Sequence, residues 1–127
     1  MDYSTINTKK APAAIGPYSQ GVKIGNTVYT SGQLPINMAT GKLESDICKA
    51  TEASIQNCKQ ILKQAGSSLN CVVKTQIFLR DMNDFAAMNE VYSKYFTQPY
   101  PARSCVQVAM LPKNAVVEIE MVAAANA

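Results

Sequence analysis

Pro101-Ala102-Arg103-Ser104-Cys105-Val106-Gln107-Val108-Ala109-Met110 is followed, after Leu111-Pro112-Lys113-Asn114-Ala115, by Val116-Val117-Glu118-Ile119-Glu120-Met121-Val122. Both runs carry the two-residue alternation of strands. In the first, Arg103, Cys105 and Gln107 share one face, and Ser104, Val106, Val108 and Met110 share the other. In the second, Glu118 and Glu120 lie opposite Val117, Ile119 and Met121. The five residues between them read as the turn of an antiparallel hairpin. Such a hairpin puts both apolar faces on one core and brings a guanidinium and one or two carboxylates onto the opposite surface.

A cross-strand ion pair on a solvated face is the ordinary outcome of that pattern. Composition argues for more. The 12 Lys and Arg residues include only two arginines, Arg80 and Arg103. Lysine serves for general surface charge, whereas the planar fork of arginine suits a carboxylate or phosphate. An arginine placed beside apolar strand residues therefore points to a ligand or an interface.

Outward from these runs, Val72-Val73-Lys74-Thr75-Gln76-Ile77-Phe78-Leu79 is rich in β-branched residues and predicts a central strand. Between it and Pro101, Asn83 or Asp84 is placed to cap a helix carrying Phe85, Met88, Tyr92, Tyr95 and Phe96. Asn89 falls on the buried stripe of that helix, where a polar group needs a hydrogen-bonding partner. Upstream, Ile47, Ala50, Ile55, Cys58, Ile61, Leu62 and Ala65 recur at helical spacing between Asp46 and Ala65, and Gly66 follows as a stop. Val22-Lys23-Ile24 and Thr27-Val28-Tyr29-Thr30 flank the turn dipeptide Gly25-Asn26, which predicts a hairpin after a polar lead-in. The expected order is β-β-α-β-α-β-β, an α+β fold with both helices on one face of a mixed sheet. No helix is left for the other face, so subunits are expected to pack there.

With 127 residues, 47% hydrophobic and 17% charged, the chain reads as one domain spanning 1–127 with its own core. The net charge of +3 comes from scattered lysines rather than a basic stripe interleaved with aromatics, so nucleic acid is not an expected partner. The first residues lack a signal-peptide pattern and no apolar run reaches membrane-spanning length; a cytosolic location is expected. Cys48, Cys58, Cys71 and Cys105 form no Cys-x-x-Cys pair and read as small core thiols. The chain has no histidine. That excludes Ser-His and Cys-His catalysis and disfavours a transition-metal site, leaving carboxylates, Arg, Tyr, Ser, thiols and backbone groups for any chemistry.

Two loops have a functional and a plain reading. Tyr18, after Gly16-Pro17, is placed to offer its hydroxyl to a ligand or simply to pack over its loop. Ser31 and Gly32 end a strand with small residues, which suits close approach of a ligand or another backbone segment, or a simple turn.

Taken in order, Ala11-Pro12-Ala13-Ala14-Ile15-Gly16-Pro17-Tyr18-Ser19-Gln20, Ser31-Gly32-Gln33, Asn83-Asp84-Phe85 with Asn89, Pro101-Ala102-Arg103-Ser104-Cys105-Val106 and Val117-Glu118-Ile119-Glu120 closely resemble the reactive-intermediate deaminase family, RidA, also called YjgF. The resemblance runs from about residue 10 to the C-terminus. It implies a chorismate-mutase-like fold, a homotrimer with clefts between subunits, and cofactor-independent hydrolysis of 2-imino and enamine acids to 2-keto acids and ammonia. These compounds, 2-aminoacrylate and its imine tautomer chief among them, are released by pyridoxal-phosphate enzymes such as threonine or serine dehydratase. By position, Arg103 matches the carboxylate-binding arginine, the Cys105 backbone a second contact, and Glu118 the water-positioning acid. Tyr18, Ser31, Gly32 and Asn89 match the remaining pocket positions. Alternation alone does not separate Glu118 from Glu120; only the resemblance does. Two further functions attach to the same fold: a single-strand-specific endoribonuclease, the label some members carry, and a non-catalytic regulatory trimer that binds ligands in the same clefts.

Overall fold

The computed structural model describes residues 2–125. The domain expected over 1–127 thus extends to residues 1, 126 and 127, which lie outside the described residues. The chain runs β1 (Tyr3–Ile6), β2 (Gly21–Ile24), β3 (Thr27–Thr30), β4 (Ile36–Asn37), β5 (Lys42–Leu43), α1 (Ile47–Gln64), β6 (Val72–Leu79), α2 (Phe85–Tyr92), β7 (Ala102–Gln107) and β8 (Val117–Ala124). Six of these strands form one sheet in the order β1-β2-β3-β8-β6-β7, and β4 with β5 forms a small separate hairpin.

Most elements follow the sequence. Gly25 takes a φ of +56 in the turn that pairs Ile24 with Thr27. Asp46 caps α1, its Oδ2 accepting from the Lys49 amide at 3.0 Å. The expected cap of α2 is different. Asp84 makes no side-chain cap; Asp81 accepts from the Asn83 amide at 2.9 Å and holds a single 3-10 turn that leads into the helix. Helix α2 ends at Tyr92, so Tyr95 and Phe96 lie beyond it. The polar lead-in, to which the sequence reading assigns no element, contains a strand, Tyr3–Ile6, paired with β2. An edge strand with little to bury gives no hydrophobic signal, and the two-residue strands β4 and β5 are too short to give one.

The largest departure concerns the two C-terminal strands. They do not pair with each other: β7 pairs with β6 in parallel, and β8 pairs with β6 on its other side, antiparallel. The order β6-α2-β7 is a crossover unit, in which a helix returns the chain to the same end of the sheet. The Leu111–Ala115 segment is then not a hairpin turn but a bridge over the end of β6. Leu79 O accepts from the Val108 amide at 3.0 Å, and the Arg80 amide donates to Val116 O at 3.1 Å. Arg80 Nη1 also donates to Asn114 O at 3.1 Å, where Lys113 and Asn114 take φ values of 58 and 54. One of the two arginines thus holds the bridge in place.

Both helices cover one face. Thr51, Ile55, Cys58, Ile61 and Leu62 of α1, with Met88 and Tyr92 of α2, pack over Val28, Thr75, Ile77, Leu79, Val117, Ile119 and Met121. Each large apolar side chain buried in this way contributes about 1.5–3 kcal/mol. Among the described residues no helix lies on the opposite face. Its rows run Val22-Tyr29-Val122, Glu120-Gln76-Ser104 and Glu118-Phe78-Val106, with Tyr29 45% and Val106 44% exposed.

In the core, the Ser54 hydroxyl on α1 is fully buried and has no hydrogen-bond partner among the described residues. Leaving such a group unpaired costs about 1–3 kcal/mol, while removing one oxygen leaves only a small void. Ser54→Ala is therefore expected to raise stability by about 1 kcal/mol in thermal or chemical unfolding at fixed protein concentration. A variant less stable than the parent would show that the hydroxyl is satisfied after all.

Candidate active site

Arg103 points toward the helices. Its Cα partner on β6 is Thr75, which is fully buried in the core, and partners across a ladder project their side chains to the same side. The guanidinium meets the stripe of α2 formed by Phe85, Asn89 and Tyr92, whose spacings of four and three put them on one face. Nη1 donates to Asn89 Oδ1 at 2.6 Å. The guanidinium carbon lies 5.5 Å from the Phe85 ring centre and 4.8 Å from that of Tyr92, both within cation–π range. Behind it, the Tyr92 hydroxyl and Thr75 Oγ1 are 2.8 Å apart, and the Tyr92 ring stacks on Phe96 at 4.5 Å. The hydrogen-bonding partner expected of Asn89 is Arg103.

Cys105, two residues along β7, lies on the same side, half-buried against the core. Burial pushes its thiol up, and the charge of Arg103 offsets that only in part. The side chain is therefore a neutral thiol rather than a ready nucleophile. Gln107 Oε1 accepts from the Met82 amide at 2.7 Å and ties β7 to the turn before α2.

Glu118 occupies the other face. Its partner on β6 is Phe78, which alternates with the buried Ile77 and Leu79 and points away from the helices. From the registers, Arg103 and Glu118 are separated by the width of two strand spacings and by three residues along β6, about 14 Å between Cα atoms. The expected meeting of guanidinium and carboxylate on one sheet surface therefore does not occur within a chain. The cause is the strand between them: with β6 interposed, the facing of each outer strand is set by its own register with β6.

Glu118 fits where it does because residue 32 has no side chain. A Cβ on Gly32 would sit 2.7 Å from Glu118 Cδ and 3.0 Å from Cγ. The sequence reading allows a ligand, another backbone segment or a simple turn at Gly32; what approaches it is this carboxylate side chain. The segment is fixed against β8 by paired hydrogen bonds, Gln33 N to Ile119 O at 2.8 Å and Ile119 N to Gln33 O at 3.2 Å. Ser31 Oγ donates to Ser19 O at 2.6 Å, so the hydroxyl read as a pocket group is used to hold the Tyr18–Ser19 loop. Tyr18 is 53% exposed and free to meet a ligand. Sequence reasoning gave no role to Gln20, yet its buried amide anchors this loop: Oε1 accepts from the Thr8 amide at 2.7 Å, and Nε2 donates to Pro12 O at 2.8 Å and Thr8 O at 2.9 Å.

The electrostatics of the two halves are opposed. Partial burial raises the Glu118 carboxyl above the usual range, and the Glu120 charge on the same strand face raises it further. Its proton is thus held to a higher pH than that of an ordinary glutamate. On the core side of β8, burial pushes the Cys58 thiol up to about 12; it donates to Ile119 O at 3.3 Å and plays no part at the surface. Among the described residues no three Cys, Asp or Glu side chains gather as metal ligands, and no helix is long and apolar enough to cross a membrane. The sequence-predicted residues therefore form two clusters: Asn89, Arg103 and Cys105 on β7 and α2, and Ser31, Gly32 and Glu118 beside β3 and β8, with Tyr18 on the adjoining loop.

Comparison with known proteins agrees with this architecture. The endoribonuclease L-PSP family model matches residues 8–125. The Escherichia coli protein named 2-iminobutanoate/2-iminopropanoate deaminase is 48% identical over 94% of this chain and 95% of its own length. Escherichia coli TdcF with bound serine superposes with a TM-score of 0.91 at 45% identity, covering 97% of this chain and 99% of that one. RidA from an Antarctic Psychrobacter superposes with a TM-score of 0.91 at 51% identity, covering 95% and 98%. With matches that run almost from end to end, the chain belongs to the endoribonuclease L-PSP family, the family of the RidA and YjgF proteins.

Proposed function

We propose that this protein hydrolyses 2-imino acids, formed from 2-aminoacrylate and related enamines, to 2-keto acids and ammonia. The observation that carries the reading is the state of Arg103: an arginine held by Asn89 and two aromatic rings, with donors to spare, on a chain 48% identical to a protein named for this activity. The serine bound in the related TdcF supports a pocket sized for a small amino-acid-like carboxylate.

In this reading Arg103 takes the substrate carboxylate on two parallel N–H groups, and the backbone at Cys105 gives a second contact. The imine carbon beside that carboxylate is already electrophilic. Glu118 orients a water for attack on it and passes a proton to nitrogen; its raised pKa suits that exchange. Attack gives a carbinolamine, which collapses to the keto group and expels ammonia, so one water enters and one ammonia leaves. Tyr18, Ser31, Gly32 and Asn89 shape the pocket. No cofactor is needed, because positioning and proton transfer are the whole task.

Since Arg103 and Glu118 lie on opposite faces of one sheet, a working site draws Arg103 from one subunit and Glu118 from the next. A chorismate-mutase-like homotrimer, packed through the helix-free faces, supplies such clefts. In this reading dehydratases dependent on pyridoxal phosphate supply the substrate, and the protein works beside them in the cytosol. The nuclease reading gains no support from a chain without histidine whose lysines are spread along its length.

Imine generated in situ by a dehydratase, with keto acid followed with and without the protein, tests the activity. Arg103→Ala and Arg103→Lys are each expected to lose about ten- to hundredfold in rate, the equivalent of about 1.5–3 kcal/mol for a charged bidentate contact. A lysine variant at the wild-type rate would contradict the forked contact. Glu118→Gln is expected to lose far more activity than Glu120→Gln, and equal losses would refute the choice of Glu118.

The pH dependence has a defined sign. A carboxyl whose folded pKa is raised adds stability at low pH that is lost as pH rises through the raised value. In the dissociated chain, where no neighbour's Arg103 faces the carboxyl, Glu118→Gln should therefore be more heat-stable than the parent at neutral pH, with the difference shrinking in acid. A variant less stable at neutral pH would show that ionised Glu118 is held by favourable contacts.

A further inference from the structure

The Thr75–Tyr92 hydrogen bond lies directly behind Arg103. Thr75 is the Cα partner of Arg103 across the β6–β7 ladder, and the Tyr92 ring is the nearer of the two rings that face the guanidinium. A closed circuit results: β6 holds Thr75, the 2.8 Å contact between Thr75 Oγ1 and the Tyr92 hydroxyl holds the ring, and the ring holds Arg103. Phe96 also stacks on the Tyr92 ring, with centroids 4.5 Å apart and an interplanar angle of 28°. Asn89 takes a hydrogen of Nη1 at 2.6 Å. A guanidinium has five N–H donors, so an edge with two parallel donors stays open.

A buried Thr–Tyr pair satisfies two polar groups, and an apolar pair of like shape would serve a core as well. What an apolar pair would not do is fix the plane of the ring. A cation is attracted to the ring face and repelled by its edge, so the ring plane sets where the guanidinium rests. A free arginine loses much rotamer freedom on binding a ligand; one already clamped does not.

We propose that Thr75 and Tyr92 are positioning residues that orient the ring against Arg103 and so present the open edge of its guanidinium to the substrate carboxylate. The inference rests on the reading of Arg103 as the carboxylate site. Phe85 and Asn89 complete the clamp from the same stripe of α2.

Three single variants, Thr75→Val, Tyr92→Phe and Tyr92→Leu, and the double variant Thr75→Val with Tyr92→Phe test it in the full-length protein. The probe is pyruvate, a stable 2-keto acid, with its Kd measured by titration. Nitrogen NMR of the Arg103 guanidinium is recorded without ligand, and because Arg80 is the only other arginine, an Arg80→Lys control assigns the signals. The wild type should show separate Nη signals from hindered rotation. Thr75→Val and Tyr92→Phe should each merge them and weaken pyruvate binding about three- to tenfold. The double variant should be no weaker than either single one, because both remove the same bond. Tyr92→Leu, which also removes the ring, should weaken binding further.

A pair with only a core role would lower the melting temperature in the single variants, recover it in the double one, and leave the pyruvate Kd and the Arg103 signals unchanged in all four variants. That result, in a wild type that binds pyruvate and turns over imine, would overturn this inference alone. A wild type that neither binds pyruvate nor turns over imine would overturn it together with the reading beneath it.

Discussion

The position of β6 between β7 and β8 governs the site. Side chains alternate across a strand, so a register with β6 decides the face on which each neighbour displays its polar residues. Thr75 opposite Arg103 and Phe78 opposite Glu118 send the arginine to the helices and the acid to the open face. A slip of either outer strand by one residue would reverse this and bury the wrong group. The cross-over of the Leu111–Ala115 bridge at Leu79 and Arg80 pins both registers at one end of β6.

Two physical environments follow from that division. Arg103 sits where aromatic faces and one amide oxygen replace part of its hydration, so the charge is kept while the side chain is ordered. Glu118 sits half-buried beside another acid and keeps its proton to higher pH. Within one sheet these two states do not neutralise each other, as they would if the groups met directly. An arginine already paired to a carboxylate would have to give up that partner to take another. On opposite faces of the sheet, Arg103 and Glu118 of one chain are not paired with each other.

Much of this was legible in the sequence, and the illegible part has a physical cause. The long helix with its Asp46 cap, the Gly25-Asn26 turn and strand β6 follow from periodicity and turn chemistry, which are local. The requirement that Asn89 find a partner also follows, since a polar residue on a buried stripe must bond. Strand pairing is not local. Nothing in Pro101–Val122 distinguishes a hairpin from two strands that straddle a third, because the alternation is the same in both. The turn signal at Leu111–Ala115 was misread for the same reason: its residues suit a hairpin turn and a bridge alike. Gly32 was legible as a point of close approach or a simple turn, though not that Glu118 is what approaches. Phe85 and Tyr92 read as core residues, which they are; their second role emerges only once β7 is known to lie under α2.

The central claim is that a working site takes Arg103 from one chain and Glu118 from its neighbour. Chains bearing Arg103→Ala and chains bearing Glu118→Gln, each strongly impaired alone, can be dissociated, mixed in equal amounts and reassembled, with subunit exchange confirmed by mass. If each cleft of a cyclic trimer is shared between two chains, random mixing gives about a quarter of the clefts both intact groups, and about a quarter of wild-type turnover should return. Full exchange with no activity above that of the two parents would contradict the account and return both residues to a single chain.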